Sequence, residues 1–110
     1  MESRERRAGE NEALYREVNE RVLELEERFG LERRTVAFIC ECSRLACSER
    51  IELTPEEYES VRASPTRFVL LPGHEDTSIE RILERTERFV VVEKLPGGPA
   101  EAAAREDPRS

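Results

Sequence analysis

The tetrapeptide Thr54-Pro55-Glu56-Glu57 admits one local structure, and the rest of the fold has to accommodate it. Threonine caps a helix, proline is tolerated at the first helical position, where its missing N–H is not needed, and a glutamate three residues after the cap completes a capping box. Glu56 and Glu57 also stand at the positive end of the helix dipole. Pro65 disfavours helical geometry at Ser64, so the spacing predicts a short helix over 55–63 with Tyr58 and Val61 facing the core.

The segments on either side read as strands. TVAFIC (35–40) is β-branched and aromatic, RIELT (50–54) alternates polar and apolar residues, and FVLL (68–71) and FVVVEKL (89–95) are short apolar runs. IERILER (79–85) is ambiguous: Ile79, Ile82 and Leu83 match a helix, whereas Ile79, Arg81 and Leu83 alternate as in a strand. Only Arg85 to Arg88 separate it from the next strand, a connection suited to a hairpin, so the assignment here is strand. The expected class is α+β: a long N-terminal helix plus a small antiparallel sheet with one short packed helix, the strands lying near 35–42, 50–53, 67–71, 79–85 and 89–95.

The long helix is ENEALYREVNERVLELEERFG (10–30). Leu14, Val18, Val22, Leu25 and Phe29 recur at spacings of three and four, which places them on one stripe. Gly30 sits where a C-terminal cap belongs. The stripe packs the helix by one edge against the domain or pairs it with a second helix, and the other faces carry Glu and Arg that can pair at i,i+4. Residues 1–9 lack periodicity, and PGGPAEAAAREDPRS (96–110) has the composition of a tail. The expected organisation is a disordered N-terminus over 1–9, one α+β domain over 10–95 and a disordered tail over 96–110.

A domain this small buries a limited share of its surface and often relies on a metal, a disulfide or a partner subunit. All three cysteines fall in FICECSRLACSERIEL (38–53), spaced Cys40-x-Cys42-x4-Cys47, and the single histidine is His74. MESRERRAGENE has no apolar signal-like region, and no run approaches the roughly 20 apolar residues of a membrane span. The chain is therefore expected to be cytoplasmic, where a structural disulfide is disfavoured. A net charge of −7 works against generic binding to nucleic acid or anionic membranes. Arginine outnumbers lysine 17 to 1, a bias expected of a GC-rich bacterial genome.

Cys40, Cys42, Cys47 and His74 make a Cys3His set suited to tetrahedral Zn2+. Residues i and i+2 of a strand point alike, but their Cα atoms stand about 6.6 Å apart when extended, so the chain must bend to bring the sulfurs of Cys40 and Cys42 within the roughly 4 Å of a zinc tetrahedron. A four-residue loop returns Cys47, and the helix at 55–63 is a compact excursion that brings His74 back beside the first strand. Glu41, Glu49, Glu75 and Asp76 are further oxygen donors should His74 not serve. Other readings stay open: the cysteines as small buried hydrophobes with His74 closing a polar turn, an iron–sulfur cluster short of its usual fourth thiol, or a reversible disulfide. A catalytic reading makes His74 a base oriented by Glu75 or Asp76 and Cys47 a nucleophile, but a closed Cys3His set keeps no position for water.

The block from Phe38 to Lys94, with FICEC, a later cysteine, RIELTPEEYESVR, a Pro-x-x-Phe strand, PGHE and a terminal VVVEK, resembles a family of short uncharacterised bacterial proteins of actinobacterial type; the ENEALYREVNERV helix belongs to the same pattern. The resemblance implies a cytoplasmic bacterial origin and a recurring Cys and His set that falls here on Cys40, Cys42, Cys47 and His74. Where such relatives carry a Gly-Asp type turn after the second cysteine, this chain has Ser43-Arg44-Leu45-Ala46. The expected function is a small zinc-binding interaction or regulatory module that meets a protein partner, or a second copy of itself, through the N-terminal helix. The alternative is a thiol-based redox sensor, and an enzyme ranks third.

Overall fold

The computed structural model describes residues 2–29, 35–44, 47–105, 107 and 109, with side chains except at 2–11 and 29. In chain order the elements are α1 (Glu2–Phe29), β1 (Val36–Ile39), β2 (Arg50–Leu53), α2 (Pro55–Val61), β3 (Arg67–Leu70), β4 (Glu80–Arg85), β5 (Val90–Lys94) and α3 (Gly98–Arg105). The fold is α+β, with residues 80–85 a strand. α2 begins with the reciprocal capping bonds: Glu57 N–H donates to Thr54 Oγ1 at 3.0 Å and Thr54 N–H donates to Glu57 Oε1 at 2.8 Å. Tyr58 and Val61 are buried, and the helix stops at Val61, ahead of Pro65.

The single sheet expected from the strand pattern is two. β1 pairs with β2 from Val36↔Leu53 to Ile39↔Arg50, and the second sheet has the order β3-β5-β4, all antiparallel. Just past β1, Glu41 N–H bonds Val69 O of β3 at 2.9 Å, the one main-chain bond between these segments among the described residues. The ladder ends there because side chains take the next donors: Val69 N–H goes to Glu41 Oε1 at 3.2 Å and Leu71 N–H to Cys40 Sγ at 3.2 Å.

β4 also differs in its face. Its register passes from Ile82↔Val92 to Glu84↔Val91, so Leu83 sits in a bulge and is exposed. A bulge inserts one residue and breaks the alternation. Glu80 and Ile82, not Ile79, Arg81 and Leu83, turn inward: Glu80 is buried against Lys94 and Ile82 packs on the core.

Of its apolar stripe α1 docks Val22, which packs on the core, and leaves most of the rest outside. Leu14, Val18 and Leu25 are 56%, 36% and 53% exposed, whereas Glu12, Arg16, Asn19 and Leu23 are buried. Phe29's side chain and the Gly30 cap lie outside the described residues. The physical reason is unpaired main chain beneath the helix. Asn19 Nδ2 donates to Ile39 O (2.8 Å) and its Oδ1 accepts from Ile39 N–H (2.7 Å), while Arg16 Nη2 donates to Pro65 O and Arg67 O, both at 2.7 Å. Buried polar main chain left without partners is costly, so these bonds outweigh the transfer of a few aliphatic side chains. The Arg16 guanidinium also lies 3.8 Å from the centre of the Phe68 ring.

Both ends carry more structure than their composition implied. α1 includes residues 2–9, and α3 occupies 98–105 of the expected tail. Alanine-rich sequence favours helix, and α3 has a docking site: Ala103 is buried and its carbonyl accepts from Arg16 Nη1 at 3.4 Å. Beyond it, Asp107 pairs with buried Arg62, and Arg109 reaches Glu20 and Glu59, both at 2.6 Å.

Lys94 Nζ lies 2.6 Å from Glu80 Oε1 and 2.5 Å from Glu12 Oε2, two buried carboxylates on one ammonium. Burial, only partly opposed by Lys94, pushes the Glu12 carboxyl up to about 7. A carboxyl whose pKa is higher in the folded chain contributes stability that is full below its ordinary pKa of about 4.3 and is lost as the pH rises through the folded value. Glu12→Gln cannot ionise, so thermal unfolding between about pH 5 and about pH 8 should show a flatter stability profile than the parent, with the variant gaining most at the alkaline end.

Candidate metal centre

Three segments deliver the four side chains. Cys40 follows β1, and its N–H bonds Glu49 O at 2.8 Å, which prolongs the β1–β2 pairing by one step. Cys47 N–H bonds Arg44 O at 3.1 Å; Leu45 and Ala46 lie outside the described residues. His74 stands at the end of a turn after β3, where its N–H bonds Leu71 O at 3.0 Å. Pro72 suits the second position of a type II turn, and Gly73, at φ 93°, takes the left-handed third position that other residues avoid. Arg44 Nη2 donates to Gly73 O at 3.0 Å and ties the cysteine loop to this turn.

The potential ligand atoms of Cys40, Cys42, Cys47 and His74 all lie within 4.8 Å of one another. The Nδ1 atom of His74 is 3.7 Å from Cys40 Sγ and 3.6 Å from Cys47 Sγ. Tetrahedral angles with Zn–S of about 2.3 Å and Zn–N of about 2.0 Å require an S···N separation of about 3.5 Å, so His74 stands close to the spacing a metal ion demands from Cys40 and Cys47. The three cysteines are free and buried, and His74 is half-buried. Leu71 N–H donates to Cys40 Sγ at 3.2 Å, and the main-chain N–H groups of Arg44 and Glu49 act to lower the Cys42 and Cys47 thiols. Such donors favour the thiolate, the form that binds metal.

A hydrogen bond from Cys40 holds Cys42 well below the ordinary thiol range; the same bond, with burial, pushes Cys40 up, and burial pushes Cys47 up. The geometry is compatible with a metal site of composition Cys3His. Among the described residues, Glu41, Glu49, Glu75 and Asp76 are not in this group. The Glu75 carboxylate accepts from Gly73 N–H and Arg85, so the base and orienter arrangement drawn for His74 and Glu75 has its carboxylate engaged elsewhere.

Glu41 has a role that the sequence reading missed. It lies between two cysteines that face the site, so strand alternation turns it the other way, into the core, where it is fully buried. Its Oε2 accepts from Tyr58 OH at 2.6 Å and from Asn19 Nδ2 at 2.9 Å, and its Oε1 from Val69 N–H. Burial and the Glu41 charge together push the Tyr58 hydroxyl up, keeping it a donor, and its ring stacks on Phe38 with centroids 4.5 Å apart. The signal was present: one acidic residue enclosed in FICEC, at the position opposite the cysteines, cannot share their surroundings.

Removing Glu41 leaves the Tyr58 hydroxyl and the Val69 N–H without this acceptor and Asn19 Nδ2 with Ile39 O alone, while removing the Tyr58 hydroxyl leaves the carboxylate two donors. Urea unfolding should show Tyr58→Phe destabilised by about 2 kcal/mol and Glu41→Ala by about 4 kcal/mol or more. Comparison of the chain with protein-family models, curated proteins and solved structures returns no match, so the functional reading rests on this geometry.

Proposed function

We propose that Cys40, Cys42, Cys47 and His74 hold one structural Zn2+, and that the domain is a small cytoplasmic interaction or regulatory module of bacterial type. The observation that carries the reading is the convergence of three separate segments on four soft and borderline donors whose ligand atoms lie within 4.8 Å of one another. Three thiolates and an imidazole suit Zn2+, and four protein ligands fill its coordination, which favours a structural ion over a catalytic one. Bound there, the ion cross-links the end of β1, the loop before β2 and the turn after β3. The exposed apolar stripe of α1 supports contact with a protein partner. No helix among the described residues is long and apolar enough to cross a membrane.

Elemental analysis of protein purified without chelator or metal-affinity tag should give one zinc per chain, and none in Cys42→Ser or His74→Ala. Because such a site is absent from the unfolded chain, its binding energy adds to folding. A strong chelator should lower the melting temperature of the parent by about 10 °C or more, given the roughly 4–8 °C per kcal/mol of domains this size. A metal-free parent with an unchanged melting curve would remove the site.

The closeness of the sulfurs supports a second reading, in which peroxide oxidises two thiols to a disulfide with formation of two waters. Alkylation followed by mass measurement after mild peroxide separates the two. Thiols that stay protected until zinc is stripped favour the structural ion, and rapid loss of two alkylatable thiols favours the sensor.

A further inference from the structure

Leu14, Val18 and Leu25 form an exposed apolar face on α1, and Val22 at its edge packs on the core. At 100° per residue, Glu17, Arg21, Glu24 and Arg28 fall together along the outer margin of that face. All four are exposed, and none takes part in an ion pair within the described residues. Acid and base therefore alternate along a single margin, beside a stripe that the fold leaves uncovered.

We infer that this face binds a second copy of the chain, with the two α1 helices antiparallel. A two-fold axis sets Val18 of each copy against Leu25 of the other, and the outer margins then meet each other. Glu17 of one helix comes alongside Arg28 of the second, and Arg21 alongside Glu24, so the pattern is its own complement. A parallel pair brings the charged margin of one helix against the Tyr15 and Val22 margin of the other and leaves these charges unmatched. Leu14 to Leu25 covers only about 16 Å of helix axis, which fits a weak, reversible dimer. This inference rests on α1 as the contact surface of the module and not on the metal.

Sedimentation equilibrium of the full chain, with zinc measured in the same samples, tests it. The 12.7 kDa chain should associate to twice that mass in a concentration-dependent way. Glu17→Arg/Glu24→Arg makes the margin wholly basic and Arg21→Glu/Arg28→Glu makes it wholly acidic; each pair should weaken self-association at least tenfold while leaving the circular dichroism unchanged. An equimolar mixture should recover dimer at the parental level. A parent that stays monomeric, variants that dimerise as the parent does, or a mixture that stays monomeric would each overturn the inference. A zinc-loaded monomer would overturn the dimer alone, and a metal-free dimer would overturn the site alone.

Discussion

Glu41 occupies the point where two sheets meet without merging, and much of the molecule is organised around it. Its main chain, just past β1, bonds Val69 of β3, and its carboxylate takes the next donor, Val69 N–H. The same carboxylate anchors α1 through Asn19 and α2 through Tyr58. Cys40 and Cys42 flank it in sequence and face the opposite way, so locking the acid in the core also fixes the direction of two sulfurs. In metal sites the groups behind the ligands set ligand orientation; here that support comes from the far side of the strand.

The docking of α1 belongs to the same logic. Asn19 offers β1 what a neighbouring strand would offer, one donor and one acceptor to the same residue, and so shields an edge that would otherwise invite pairing. Arg16 satisfies carbonyls of the α2–β3 connection and of α3, and Lys94 neutralises Glu12 and Glu80. Polar contacts of this kind are intolerant of substitution, because losing one partner strands another buried group. A helix held mainly by such contacts, with Leu23 as the buried aliphatic residue among those described, is fixed in register more than it is glued by apolar area.

What the sequence made legible follows from local physics. The capping box of α2, the Pro72-Gly73 turn and the β-branched runs depend on near neighbours, and they appear where the pattern placed them. The four candidate ligands were legible because cysteine and histidine are few and their chemistry is narrow. The inward face of α1 was not, since periodicity identifies an apolar stripe but not whether the body beneath needs hydrocarbon or hydrogen-bond partners. β4 was legible as a strand, but its irregular register was not: the bulge at Leu83 depends on a partner strand that the local sequence does not reveal. The docking of α3 was hidden because a short alanine-rich segment is helical only when something receives it.

The buried partners of α1 are spread toward the far end of the chain. Glu12 waits for Lys94, and Arg16 for Pro65, Arg67 and finally Ala103, 87 residues later. Synthesis proceeds from the N-terminus, so α1 leaves the ribosome before the residues that close over it. Until α3 emerges, α1 carries charges suited to a core that does not yet exist. Those charges keep the waiting helix well solvated, where an apolar inner face would have offered an adhesive surface to every neighbouring nascent chain.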